Sequence, residues 1–479
     1  MDQSQSISNE SLPKSMRYGM SSATAVPATS VLSRFASVNG SSFSPTGSNQ
    51  IRFKVQAPGF LDVSKHFLEF TATVATADAF VDGDAGSFFD RIRIESNGAV
   101  VEEILSAGLY NNIRHTYDSD IGSLGKLSVS AGAGDLAISN TITRIGQAAA
   151  DTAVAVKAVT DAAFDADTKL VVPVGKGSLG QGIATGASHT FCIQLQSGLL
   201  KNTHGKALPD GTAELDIILT LAGNAQALIG AGAHTYTISS PTLYCPTYRI
   251  ENAMVMNEYR QMMLSRGVQI TGQTAKTYIN TLSNGAGTKS LQINDRSLSL
   301  LGLVTAVRPS DADSKGEKYS NSSYGFTMAD DTTQISRYHY QIGGTNFPQS
   351  DVNVSVAVNG RNLGRVHEET LKALAQPGHD YAKAAVTVTQ MTKEIDGEYA
   401  SANASNSLEA PKGLLSVDLK KFDMDRLRMV GLNTSLNSGP SVLEVEVSTT
   451  LGADTTATTF ALVESFYSVL PNGMISASM

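Results

Sequence analysis

The stretch IRFKVQAPGFLDVSKHFLEFTATV, Ile51 to Val74, decides the fold. Ile51, Phe53 and Val55 alternate with Arg52, Lys54 and Gln56, which places the apolar set on one face of a strand. Leu68, Phe70, Ala72 and Val74 then alternate with Glu69, Thr71 and Thr73 in a second strand of the same kind. Strict alternation marks antiparallel sheets with one face in a core and the other in water. A third example follows in FFDRIRIESNG, where Ile92 and Ile94 stand against Arg91, Arg93 and Glu95 before the turn pair Asn97-Gly98. In this register Phe70 and Ile94 face the core and Arg93 faces out.

Outward from this stretch the signals continue. Leu105, Leu109 and Ile113 recur every four residues and predict a short helix over Ile104 to His115. Residues 123 to 188 are rich in Ala, Gly, Thr and Asp and poor in large apolar side chains, so they read as a long decorated loop with a small helix near Gln147 to Phe164. Strands return at Phe191 to Leu195, Leu215 to Leu221 and Tyr244 to Ile250. The Met-, Glu- and Arg-rich segment Glu251 to Leu264 predicts a connecting helix.

Beyond that helix the same order of signals begins again, and this repetition is the most informative feature of the chain. NGAGTKSLQIN and SLSLLGLVTAV answer the first two strands, and ISRYHYQIGGTNFP answers FFDRIRIESNG. VHEETLKALA is the second helix, followed by GLLSVDLKKF, VLEVEVSTT and FALVESFYSVLPNG. With about eight candidate strands in each half, the expected fold is all-β: two tandem eight-stranded antiparallel jelly rolls with short helices and long loops. The expected division is an extended arm over 1–47, ordered by contact with neighbours, a first jelly roll over 48–250, a connecting helix over 251–264 and a second jelly roll over 265–479. A chain of 479 residues suits two such domains.

The pattern resembles the double jelly-roll major capsid proteins of the tectivirus and adenovirus lineage. The resemblance is carried by Ile51 to Val74, where Gly59, Phe60, Leu61, Asp62, Val63 and Ser64 occupy the turn between two strands, by FFDRIRIESNG and the helix after it, and by RYHYQIGGTNFPQS followed by VHEETLKALA. It covers the chain from about 48 to 479, and its motifs encode turns and strand faces rather than chemistry. The resemblance implies a homotrimer whose two jelly rolls per chain give a pseudo-hexagonal capsomer that tiles an icosahedral shell. Neighbouring capsomers, penton and minor capsid proteins, and an internal membrane are the partners it implies, and the virion capsid is the place.

Motifs that could carry chemistry have plainer readings. GKGSLG at Gly175 to Gly180 follows a strand-like run, yet QGIATGASH after it is no helix start, so no helix N-terminus is aimed at a phosphate. The histidines His66, His115, His189, His204, His234, His339, His367 and His379 lack metal-ligand spacing, and His367 beside Glu368 and Glu369 has no second His one turn on. Asp82-Gly83-Asp84 and Asp311-Ala312-Asp313 read as solvated acidic turns before calcium sites, because the closing Glu is missing. Cys192 and Cys245 read as buried small hydrophobes rather than a disulfide. Sequons at Asn353 and Asn433 mean nothing without a secretory signal, and the opening residues show none. No apolar run is long enough to span a membrane, so synthesis in the host cytoplasm is expected.

No catalytic, cofactor-binding or metal residue is assigned, and no enzyme is expected. A net charge of -8 argues against sequence-specific or direct nucleic-acid binding. The alternative function is a tandem β-sandwich adhesin or receptor-binding spike. Against it stand the absence of Trp and of any heptad or short fibre repeat.

Overall fold

The computed structural model describes residues 28–119, 121–133, 179–252 except 203–204 and 231–232, 267–310 except 284, 320–325, 335–356, 360–375 except 362, 381–384, 386, 412–421, 430–447 except 438, and 455–479, with the pieces 256–259, 261 and 265 between the halves. The first half contains eight principal strands: β1 (Ala28–Ala36), β2 (Gln50–Val55), β3 (Phe67–Ala75), β4 (Phe89–Ser96), β5 (Ala99–Leu105), β6 (Ser188–Ile193), β7 (Leu215–Leu221) and β8 (Thr235–Ile250). The second half contains β9 (Val268–Leu282), β10 (Gly287–Ile293), β11 (Leu300–Pro309), β12 (Ile335–Ile342), β13 (Thr345–Asn353), β14 (Leu415–Asp418), β15 (Ser441–Val447) and β16 (Thr455–Val469).

The two halves repeat one topology. The first builds sheets β1-β8-β3-β6 and β2-β7-β4-β5, and the second builds β9-β16-β11-β14 and β10-β15-β12-β13. Adding eight to each label of the first half gives the second. Two antiparallel sheets in this interleaved order make a jelly roll. The duplication extends to the helices: α1 (Ala107–Asp118) follows β5, and the helix Leu363–Leu374, here α3, follows β13. A further helix, α2 (Ile121–Ala131), occupies the start of the stretch read as a loop. That stretch closes with a strand at Leu179–Ile183, and the helix expected near Gln147 to Phe164 lies outside the described residues.

Alternation creates the core. On β3 the residues Leu68, Phe70, Ala72 and Val74 are buried, and Phe53, Ile94, Phe191 and Ile217 from both sheets join them. Phe70 meets the rings of Phe88 and Phe89 edge-on, with centroids 5.8 and 5.3 Å away. Burying side chains of this size contributes about 1.5–3 kcal/mol each. On the outer face of the sheet β2-β7-β4-β5, Arg52 pairs with Asp216 at 2.7 Å, and Arg93 pairs with Glu95 at 2.6 Å. Phe70, Ile94 and Arg93 therefore stand on the faces their alternation assigns them.

Three expectations need correction. The arm is not free of the fold up to residue 47: β1 pairs along its whole length with β8, from Ala28↔Ile250 to Ala36↔Thr242, and Phe43 is buried. β1 was not legible because none of its nine residues is buried, so it has no hydrophobic period. Residues 1–27 of that arm lie outside the described residues. Second, Ile104 and Leu105 end a strand, and the helix begins at Ala107. Third, Cys192 is half-buried on the outer face of β6 beside Glu69, whereas Cys245 is fully buried; both are free thiols. Within the expected connecting helix, residues 256–259 are helical, and Tyr259 packs edge-on against Phe60 at 4.8 Å.

Candidate functional site: the seam between the jelly rolls

The polar chemistry of the molecule is concentrated where the two halves meet. β5 carries the sequence AVVEEIL, and strict alternation would not bury both Val101 and Glu102. A bulge resolves this: Ile94 of β4 pairs with Glu102 and Glu95 pairs with Val100, leaving Val101 as the extra residue. Bulges re-aim side chains, and this one sends the Glu102 carboxylate into the seam.

Glu102 accepts five hydrogen bonds there. Ser197 Oγ and Gly198 N donate at 2.7 Å each and Leu199 N at 3.1 Å, all from the first half. Thr274 Oγ1 of β9 and the Tyr467 hydroxyl of β16, the latter at 3.2 Å, donate from the second half. Burial, and then the adjacent carboxylate, push the Tyr467 phenol well above its usual range, so it stays protonated as a donor. A buried carboxylate is tolerable only with its lone pairs filled, and here the filling comes from both jelly rolls. The backbones touch beside it. A Cβ on Gly272 would stand 2.0 Å from the carbonyl oxygen of Gly198, so this approach requires a glycine. Thr277 Oγ1 of β9 donates to the Leu105 carbonyl at 2.9 Å.

A second cluster lies around Asp82-Gly83-Asp84. The expected solvated turn is wrong: Asp82 and Asp84 are both fully buried. Asp82 accepts from the backbone N–H of Ser320, Asn321 and Ser322, at 2.8, 2.5 and 3.2 Å, and from the Ser322 hydroxyl. Burial pushes its carboxyl up to about 6, opposed by these donors and by the charge of Lys412. Lys412 Nζ donates to the Ser322 carbonyl and sits 5.2 Å over the Tyr324 ring. Gly83 has φ +78°, and a Cβ there would meet Asn112 Oδ1 at 2.1 Å. Asp84 accepts from Gly86 N at 2.9 Å and Asn111 Nδ2 at 2.8 Å, and lies 3.0 Å from His115 Nδ1. From α1, Arg114 donates to the Leu374 carbonyl of α3 at 3.2 Å, and the Tyr117 hydroxyl donates to the Lys412 carbonyl at 2.9 Å.

Apolar packing crosses the same line. Tyr110 of α1 lies 5.3 Å from the Phe460 ring of β16, and one buried cluster runs from Phe53 and Phe70 to Ala275, Leu374, Phe460 and Tyr467.

The other singled-out residues do not join this site. His66 is buried, receiving Leu195 N at Nε2 and bonding the Val63 carbonyl through Nδ1. His189 stacks near Phe191, His234 is buried, and His339 lies between Asp351 and Glu444. His367 is on α3, where Glu368 pairs with Lys372 at 3.2 Å and burial raises Glu369. Among the described residues no group of three metal-ligating side chains occurs. Leu179 and Gly180 of the glycine-rich motif begin a strand rather than a helix. Asn433 accepts from Ser435, and Asn353 closes β13. Gly175, His204, His379, Asp311 and Asp313 lie outside the described residues. Sequence reasoning missed Glu102 as a seam residue. The only signal was the acid pair Glu102-Glu103 between Val101 and Ile104, in a strand that the helical spacing obscured.

Two jelly rolls of one topology, joined through a buried polar seam, make this a double jelly-roll fold. Solved structures share it over nearly the whole chain. The Faustovirus major capsid protein matches with a TM-score of 0.57 and 9% identity, over 94% of this chain and 92% of that one. VP54 of PBCV-1, fitted into a reconstruction of the virophage Sputnik, matches at 0.55 and 10%, over 96% and 99%. A chain of the Sputnik virophage matches at 0.52 and 14%, over 98% and 92%. No protein-family model matches the chain, and no curated protein matches its sequence. At such identities the likeness is one of fold.

Proposed function

We propose that this chain is the major capsid protein of an icosahedral virus, a structural subunit that performs no catalysis. One observation carries the reading: the same eight-strand topology occurs twice in one chain, and solved capsid proteins share that double arrangement end to end. Two similar lobes held rigidly by a buried seam give a threefold assembly a nearly sixfold outline. Such an outline tiles a curved shell with few distinct contacts. The functional groups of the seam fit this role, since Glu102 accepts from both lobes and Asp82 accepts from the opposite one.

The partners follow from the same reading: two further copies in a trimeric capsomer, neighbouring capsomers, and penton and minor capsid proteins at special positions. An internal membrane is a further proposed contact; no helix among the described residues is long and apolar enough to cross one. The subunit is made in host cytoplasm and resides in the virion. The net charge of -8 supports a shell that does not bind nucleic acid directly.

Light scattering of the purified protein across a dilution series tests the proposal. A mass of three chains that persists on dilution is expected, with an interface above roughly 2,000 Å² as in obligate assemblies. Electron micrographs should show hexagonal outlines. A monomer at every concentration, or a dimer, would overturn the capsomer reading and favour the adhesin.

A further inference from the structure

The C-terminal end of α1 gathers more positive charge than its surroundings match. Arg114 and Asp118, one turn apart on α1, pair at 2.9 Å. Lys201, in the segment after β6, is close enough to feel the charges of Arg114, Asp118 and Lys126 of α2. Asp118 is thus one carboxylate set against three cations. Arg114 also acts on Lys420, but that ammonium has its own carboxylate in Asp418, at 3.3 Å. A local excess of this sign stands out in a chain whose net charge is -8.

The donors here are only partly used. Arg114 is occupied, its Nε by Asp118 and its Nη1 by the Leu374 carbonyl of α3, at 3.2 Å. Lys201 is not. Among the described residues its ammonium donates one hydrogen bond, to Gln196 Oε1 at 3.0 Å, of the three that an ammonium can make. Burial pushes that ammonium down to about 8, opposed by Asp118 and assisted by Arg114 and Lys126. The second unmet donor belongs to the same carboxamide. Gln196 is only 6% exposed, and its Nε2 has no partner among the described residues. Because Oε1 and Nε2 share one planar amide, the orphan NH2 stands beside the Lys201 ammonium. A buried donor without an acceptor is costly. A water could serve the amide, but it carries no charge to set against the cations. Lys126 is exposed, so the cluster opens to solvent on its α2 side.

We propose that the junction of α1, α2 and the Gln196–Lys201 segment binds a free oxyanion of the phosphate class. The oxygens of one tetrahedral ion accept from Gln196 Nε2, Lys201 and Lys126 together, in charge-assisted bonds of the kind phosphate makes. Because Arg114 ties α1 to the end of α3, an ion at this junction also steadies the seam. Binding here is independent of the capsomer reading.

Isothermal titration calorimetry of the full chain with inorganic phosphate, at an ionic strength held constant with chloride, should show saturable binding. Lys201→Met keeps the buried stem and removes the charge, and it should weaken binding by about tenfold or more. Lys65→Met, at an exposed lysine of the first jelly roll, should leave binding unchanged. In the wild type, phosphate should slow the acetylation of Lys201 but not of Lys65, read by peptide mass spectrometry at about pH 8. No saturable binding by the wild type overturns the site, as does a folded Lys201→Met variant that binds phosphate as well as the wild type. Should Lys201→Met fail to fold, acetylation decides: protection of Lys201 without protection of Lys65 supports the site, and any other pattern overturns it.

Discussion

Glu102 shows how much one residue can hold. Its carboxylate satisfies two backbone N–H groups and three hydroxyls, drawn from positions 95 to 365 residues away in sequence. Glu102→Ala would leave those donors buried and unpaired, and the expected loss is about 3–5 kcal/mol. Thr274→Val removes one donor and leaves four, so it should cost only about 1 kcal/mol. Urea midpoints of the two variants check the ranking; a Glu102→Ala variant as stable as wild type would mean that the seam is filled by water instead. His66 supplies a pH dependence. Burial pushes its imidazole down to about 4, while in the unfolded chain it titrates near 6.5. Between these values the unfolded state binds the proton and the native state does not. The contribution is therefore intact above about pH 6.5 and is lost as the pH falls toward 4, by about 3 kcal/mol in all. Stability curves of His66→Gln should lie below wild type at pH 7 and fall less steeply over this window; parallel curves would remove His66 as the cause.

At the scale of elements, strand register is the property that mutations can test. Phe70 is enclosed by three other Phe rings, and Phe70→Ala should cost about 3–5 kcal/mol. Arg93, on the outer face of β4 and paired with Glu95, should cost under about 1 kcal/mol when changed to Ala. The reverse ranking in thermal melts would mean a register slipped by one residue. The same contrast explains what was legible. β2, β3, β4, β7 and β15 each bury one face and wet the other, so burial is written into their residues as alternation. β1 is held by backbone bonds with its side chains exposed, and β9 buries residues such as Gly272 and Thr274 that no hydrophobic count would select. Topology was therefore readable from its repetition, while β1 and β9 were not. The seam was illegible for a related reason: its acids find partners that only the docking of two complete domains brings near.

For the whole molecule, the decisive feature is that the core of the first half runs on into the second. The buried cluster that contains Phe70 and Ile94 continues through Ala275, Leu301 and Phe460 to Tyr467, and a second cluster around Tyr338, Tyr340 and Leu443 fills the interior of the second jelly roll. Opening the seam would expose apolar surface from both units together with the Glu102 and Asp82 carboxylates. Unfolding one unit while the other persists is then costly, and the chain should lose structure as one cooperative body despite its two-domain topology. Denaturation followed by hydrogen exchange of β12 and β15 and by hydrogen exchange of β3 and β4 should give coincident midpoints. Gly272→Val forces the backbones apart where a Cβ already has only 2.0 Å to the Gly198 oxygen. It should split the curve into two transitions, the first unit separating from the second, because the seam is lost while both sets of alternating strands keep their inward faces. Two transitions already present in the wild type would show that the halves are stable independently, and the rigid coupling required of a two-lobed shell subunit would have to come from the assembled capsomer rather than from the chain.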